Sequence, residues 1–148
     1  MTPLYPHEVL ELVESTIMAI VPADLAGLYD GFVVCPGHGE AFALNRDRAV
    51  LVDDESPPTR KPGSGGCDLA TMEVAVTVLY GASRESRARR LNDAWQIEHA
   101  LRGMRAPTNA AIRGSMPDPQ PTIQRLDGGG SMSQWIVSLE FLTPAAAV

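Results

Sequence analysis

The sequence predicts an α+β domain: one mostly antiparallel four-stranded sheet with two long helices packed on it. Three observations carry this expectation. Two stretches repeat apolar residues at three- and four-residue spacings, and four shorter stretches are apolar in runs or alternation. Their order is helix, strand, strand, helix, strand, strand, without the regular crossovers of a parallel sheet. At 148 residues and 15.9 kDa the chain has room for a single core of this kind.

The first helix is expected over Pro6 to Val21, where Val9, Leu10, Leu12, Val13, Ile17 and Ile20 make one face. Pro6 suits a first-turn position whose N–H has no partner in the helix. Glu8 and Glu11 lie toward the positive end of the helix dipole, and Pro22 stops the run. Asp24 to Tyr29 offers a further helical turn, and Phe32, Val33 and Val34 make a short apolar run closed by Pro36, Gly37 and Gly39. Arg48 to Asp53 reads as a strand through the consecutive Ala49, Val50, Leu51 and Val52.

Ser56 to Gly66 holds three prolines and three glycines with almost nothing apolar. It is expected as a flexible arm over about residues 54–68, with Ser56, Pro57, Pro58, Arg60, Lys61 and Pro62 as a partner-binding segment. The clearest strand follows, with Val74, Val76, Val78 and Tyr80 on one face and Ala75, Thr77 and Leu79 on the other. Gly81 breaks it. Ser83 can cap a helix from Arg84 to Met104, with Ser86 as an alternative cap. In that helix Ala88, Leu91, Ala94, Trp95, Ile97, Leu101 and Met104 are expected to face the sheet, with Arg84, Arg87, Arg90, Asp93 and Glu98 mostly off that stripe. Ala106 to Gln120 carries no assignable pattern. Thr122 to Asp127 and Gln134 to Thr143 are then two strands joined at a hairpin tip of Gly128, Gly129 and Gly130. No repeat at a fixed period is evident, and the two halves are alike only in outline.

Composition bounds the function. Hydrophobic residues at 45% and charged residues at 20% exclude wholesale disorder, while Gly 13 and Pro 12 imply much loop. The net charge of −6 disfavours general nucleic-acid binding. The charge is uneven: residues 1–55 hold 10 acids against Arg46 and Arg48, a local −8, and the remainder is +2. Such polarity suits a protein whose two ends meet different partners, or one that stacks against copies of itself through unlike surfaces, and it equally fits helix faces that are simply solvated. No apolar run is long enough for a bilayer, and the acidic N-terminus lacks the basic and apolar regions of a signal peptide, so a soluble, unexported protein without membrane partners is expected. Cys35 and Cys67 are expected as reduced thiols.

No catalytic, cofactor or metal site is expected. Cys35 and His38 have a ligand-like spacing, but the second close pair of a structural zinc site is missing. The glycines of 63–66 precede a strand and those of 128–130 join two strands, whereas a phosphate loop needs a helix straight after its glycines. No G-x-S-x-G elbow occurs. Asp53 and Asp54 read as a solvated strand end. The densest charge feature is Arg84, Arg87, Arg89 and Arg90. It reads either as a solvated face or as an interface, with Arg84, Arg87 and Arg90 pairing with the acidic first helix of a neighbouring copy.

The N-terminal amphipathic helix, the Pro/Gly-rich middle, the strand MEVAVTVLYGAS running into RESRARRLNDAWQIEHALRG, and the closing TIQRLDGGGSMSQWIVSLEFL together resemble the phage tail terminator (tail completion, minor tail) proteins. Asp93, Glu98, Ala100 and Leu101 fit the helix outline of that family, and the resemblance is fullest from Leu69 to Thr143. It implies a non-enzymatic virion protein, assembled in the host cytoplasm as a homo-oligomeric, hexameric ring. Such a ring caps the tail tube, ends its polymerisation and forms the head-joining surface. The implied partners are the major tail tube protein and a head–tail connector or stopper, with DNA only passing through the ring. Another neck or connector protein, or a small α+β ligand-binding regulatory domain, is the alternative expectation.

Overall fold

The computed structural model describes residues 2–20, 34–35, 48–63, 65–82, 86–104, 109–118 and 120–145. Among these, α1 spans Pro6–Met18, β1 Val34–Cys35, β2 Arg48–Asp54, β3 Thr59–Lys61, β4 Cys67–Tyr80, α2 Ser86–Arg102, β5 Ile112–Pro117, β6 Thr122–Arg125 and β7 Ser131–Pro144. The centre of the sheet is the antiparallel pair β4 and β7, matched over all 14 residues of each, with Cys67 opposite Pro144 and Tyr80 opposite Ser131. β2 and then β3 run along the outer edge of β4, and β5 and then β6 along the outer edge of β7. β1 adds a two-residue parallel pairing to β2.

The expected four-stranded sheet with two long helices is therefore corrected to seven strands, all antiparallel except β1, with helices of 13 and 17 residues. The additional strands have a physical reason to escape a pattern-based reading. β3 lies inside the segment expected as a flexible arm. Its Thr59, Arg60 and Lys61 are all exposed, and pairing to β4, not side-chain burial, holds it in the sheet. β5 lies in the stretch without a pattern, because a register shift between Ile112 and Gly114 breaks its alternation.

The helix-side face of the sheet carries the core. Val74, Val76 and Val78 of β4 and Trp135, Val137, Leu139 and Phe141 of β7 meet Val9, Val13 and Ile17 of α1, Ile97 and Leu101 of α2, and Met104 just after it. β7 alternates strictly, with odd-numbered residues buried from Ser131 to Thr143. The opposite face holds a small cluster of Leu51 and Leu79 with Leu126 and Met132. α1 is tied at its start by the Leu4 N–H, which donates to the Leu142 carbonyl at 2.8 Å, and by Glu8, whose Oε1 accepts the Tyr5 N–H at 3.0 Å. Ser115 of β5 donates its hydroxyl to the Leu101 carbonyl, satisfying an end of α2.

The two halves share one plan. β4 maps onto β7 by a shift of 64 residues, Cys67 to Ser131 and Tyr80 to Pro144. Between β2 and β3 the edge advances five residues, Asp54 to Thr59, while its partner strand advances three, Val74 to Thr71. Between β5 and β6 the same step recurs, Pro117 to Thr122 against Val137 to Gln134. Prolines stand in both breaks, Pro57 and Pro58 in the first and Pro121 in the second. Interruptions of this kind blunt exposed edges against pairing with other chains. Each hairpin turns on two glycines in the left-handed region, Gly65 and Gly66 at φ +71° and +80°, Gly128 and Gly129 at +87° and +93°. The chain thus uses an αβββ arrangement twice, α1-β2-β3-β4 and α2-β5-β6-β7, with β1 additional to the first half. The repeat has no fixed period because 29 residues separate α1 from β2 and nine separate α2 from β5.

Burial, and then the neighbouring Glu11, raise the Glu14 carboxyl above its ordinary value of 4.5. The folded state therefore holds this proton more tightly than the unfolded chain, and the associated stability is lost as pH rises through the Glu14 range. Glu14→Gln is expected to add about 0.2–0.5 kcal/mol at pH 7, the size of a like-charge pair on one helix face. The gain should vanish below the ordinary value of 4.5. Urea unfolding at pH 4 and pH 7 checks this, and an equal difference at both would contradict it.

Candidate interaction site

The rotation of α2 decides what the domain presents to solvent. Asp93 is fully buried and accepts the Tyr80 hydroxyl at 2.8 Å. Ile97, Leu101 and Met104 follow it on the inward face. Trp95 cannot share that face, since it stands two positions before Ile97, about 200° of helical turn. Trp95 is accordingly 76% exposed and Leu91, one turn before it, 64% exposed. The expected stripe is corrected here: Ala88, Leu91 and Trp95 face outward, and Asp93, expected off the stripe, points in.

Beside this apolar ridge the N-terminal half of α2 and the β6–β7 hairpin enclose a cleft of about 520 Å³. Arg87, Arg90 and Arg125 line it together with Gly81, Gly129, Gly130 and Ser131. Arg90 Nη1 donates to Ser131 Oγ at 3.2 Å, which holds the guanidinium against the start of β7. Neither Arg87 nor Arg125 has an ion-pair partner among the described residues. The tip leaves room for this arrangement only because it is glycine. A Cβ on Gly130 would sit 2.7 Å from the Tyr80 carbonyl, and Gly129 needs its positive φ.

The equivalent hairpin in the first half is different in charge. There Arg60 pairs with Asp68 at 3.4 Å and donates to the Pro144 carbonyl at 2.7 Å. In the repeat, Met132 occupies the place of Asp68, so the second hairpin carries no matching carboxylate. Arginines gathered in a cleft with no acid among its described lining residues favour an anionic group from outside, bound by planar bidentate hydrogen bonds.

The structure thus brings two separately expected features together, Arg87 and Arg90 with the tip of Gly128, Gly129 and Gly130. Arg84 lies outside the described residues. Ser56, Pro57, Pro58, Arg60, Lys61 and Pro62 stand instead around β3, on the opposite edge of the sheet. Arg125 was not singled out by sequence, because only the closed hairpin places it near α2. A second, more apolar groove of about 490 Å³ lies where Thr16 of α1, with Ala19 and Ile20 just after it, meets Trp95 and His99 of α2 and Met104 beyond its end.

Among the described residues no group of three His, Cys, Asp or Glu is placed to hold a metal ion, and His38 lies outside them. No helix among them is long and apolar enough to cross a membrane. No protein-family profile and no curated protein matches the sequence.

Proposed function

We propose that this chain is a structural subunit of a phage tail, a tail terminator that assembles as a homo-oligomeric, hexameric ring. The ring caps the tail tube, ends its polymerisation and offers the surface on which the head's connector or stopper docks. DNA passes through it without being specifically bound, and no catalysis is involved. The observation that carries this reading is the outer face of α2, where Leu91 and Trp95 are exposed next to an arginine-lined cleft. Large apolar side chains rimmed by charge on a small domain mark a surface that another polypeptide covers. The resemblance described above supplies the identity of the assembly, and the acidic first third beside a mildly basic remainder supplies unlike surfaces for head-to-tail packing.

Two experiments test it. Purified protein added to polymerising tail tube protein is expected to arrest growth and sit at tube ends by electron microscopy. An unchanged distribution of tube lengths would reject the terminator role. Trp95→Ser is expected to leave the unfolding free energy within about 0.5 kcal/mol, as for other surface substitutions, while reducing the oligomer to the monomer mass. Retained assembly would remove Trp95 from the interface.

A further inference from the structure

We infer that the cleft of Arg87, Arg90 and Arg125 receives the carboxylates of Glu11 and Glu14 on α1 of a second copy, so that subunits join head to tail. This rests on the ring reading and adds to it the specific contact. Four observations converge on that occupant. First, the three guanidiniums share one cleft, and the two outer ones have no ion-pair partner among the described residues. Asp127, at the hairpin tip, is not part of the cleft lining.

Second, α1 presents a pair of like charges, Glu11 and Glu14; burial first, and then the Glu11 charge, hold the Glu14 carboxyl above its ordinary range. A cationic partner would relieve that repulsion. Glu8 is left out of the contact, because one oxygen of its carboxylate is already engaged in accepting the Tyr5 N–H.

Third, neither Glu11 nor Glu14 lines the cleft of its own chain, and neither pairs with its arginines among the described residues. The contact inferred is therefore one between copies. Its two sides are different surfaces, which makes it heterologous, and such contacts close into a ring or extend into a filament.

Fourth, the spacing of charge and apolar groups matches. On α1 the exposed Met18 follows Glu14 by four residues, and on α2 the exposed Leu91 follows Arg87 by four. One helical turn separates charge from apolar group on each side, so an ion pair and an apolar contact form together.

The test is a charge exchange followed by light scattering and sedimentation. One variant carries Arg87→Glu, Arg90→Glu and Arg125→Glu, and a second carries Glu11→Lys and Glu14→Lys, each checked for native circular dichroism. Each variant alone is expected to fall to monomer, with apparent affinity weakened by about tenfold or more, as for close charge pairs at interfaces. An equimolar mixture of the two is expected to reassemble with the partners alternating, because each reversed surface then meets its complement. Should the cleft variant fail to fold, loss of assembly by the α1 variant alone supports the contact, and its retention overturns it. Wild-type assembly with both variants assembling as well overturns the inference while leaving the ring intact. Two folded monomeric variants that do not reassemble on mixing also overturn it. A wild-type protein monomeric at all concentrations overturns both the inference and the ring. Binding of a short DNA duplex that is lost in the cleft variant, with assembly unchanged, would assign the cleft to phosphate instead.

Discussion

Replacing Trp135 with alanine is expected to destabilise the domain by about 3–5 kcal/mol, the usual loss for deleting a large buried aromatic. Trp135 is 1% exposed, sits on the helix-side face of β7 opposite Val76, and packs within the one continuous core beneath α1 and α2. Stabilities of single domains are about 5–15 kcal/mol, so this substitution removes a large share of the total. The urea midpoint should fall steeply while the slope of the transition, which reports the surface exposed on unfolding, stays constant. A loss below about 1 kcal/mol, the scale of an ordinary substitution, would mean that β7 is not the spine of the core.

The second large effect is expected at Asp93. Its carboxylate is fully buried and accepts the Tyr80 hydroxyl at 2.8 Å, linking α2 to the end of β4. Asp93→Ala removes the carboxyl acceptor of that buried hydrogen bond, at about 1–3 kcal/mol. Tyr80→Phe removes the donor while keeping the ring in the core. In a double-mutant cycle the two substitutions are expected to be non-additive by about 1–3 kcal/mol. Additive losses would show that the pair does not act as a unit.

Much of the centre of the fold was legible in the sequence and much of its edge was not. β4 and β7 announce themselves because each places branched or aromatic residues on alternate positions facing one core, as Val74, Val76 and Val78 do. β3 and β6 face water with every side chain. β6 was still legible, through the turn glycines that follow it and the strand to which they return, whereas β3 sat among prolines that pointed to an arm. α2 misled for a different reason. A Trp and a Leu outweigh an Asp in any apolar stripe, yet Asp93 has a hydroxyl partner waiting at Tyr80 and Trp95 has an open surface. The arginine cluster was legible as charge alone. Its conversion into a cleft required the hairpin to bring Arg125, 35 residues after Arg90, to the same place.

The central claim is that the chain assembles into a closed ring through unlike surfaces. Its most direct measurement is the mass of the purified wild-type protein in solution, by light scattering coupled to size exclusion across a range of concentration and salt. The account predicts a discrete species of six times the 15.9 kDa chain mass, weakening as salt screens the arginine–carboxylate contact. A strictly monomeric protein at every concentration and at low salt would contradict it.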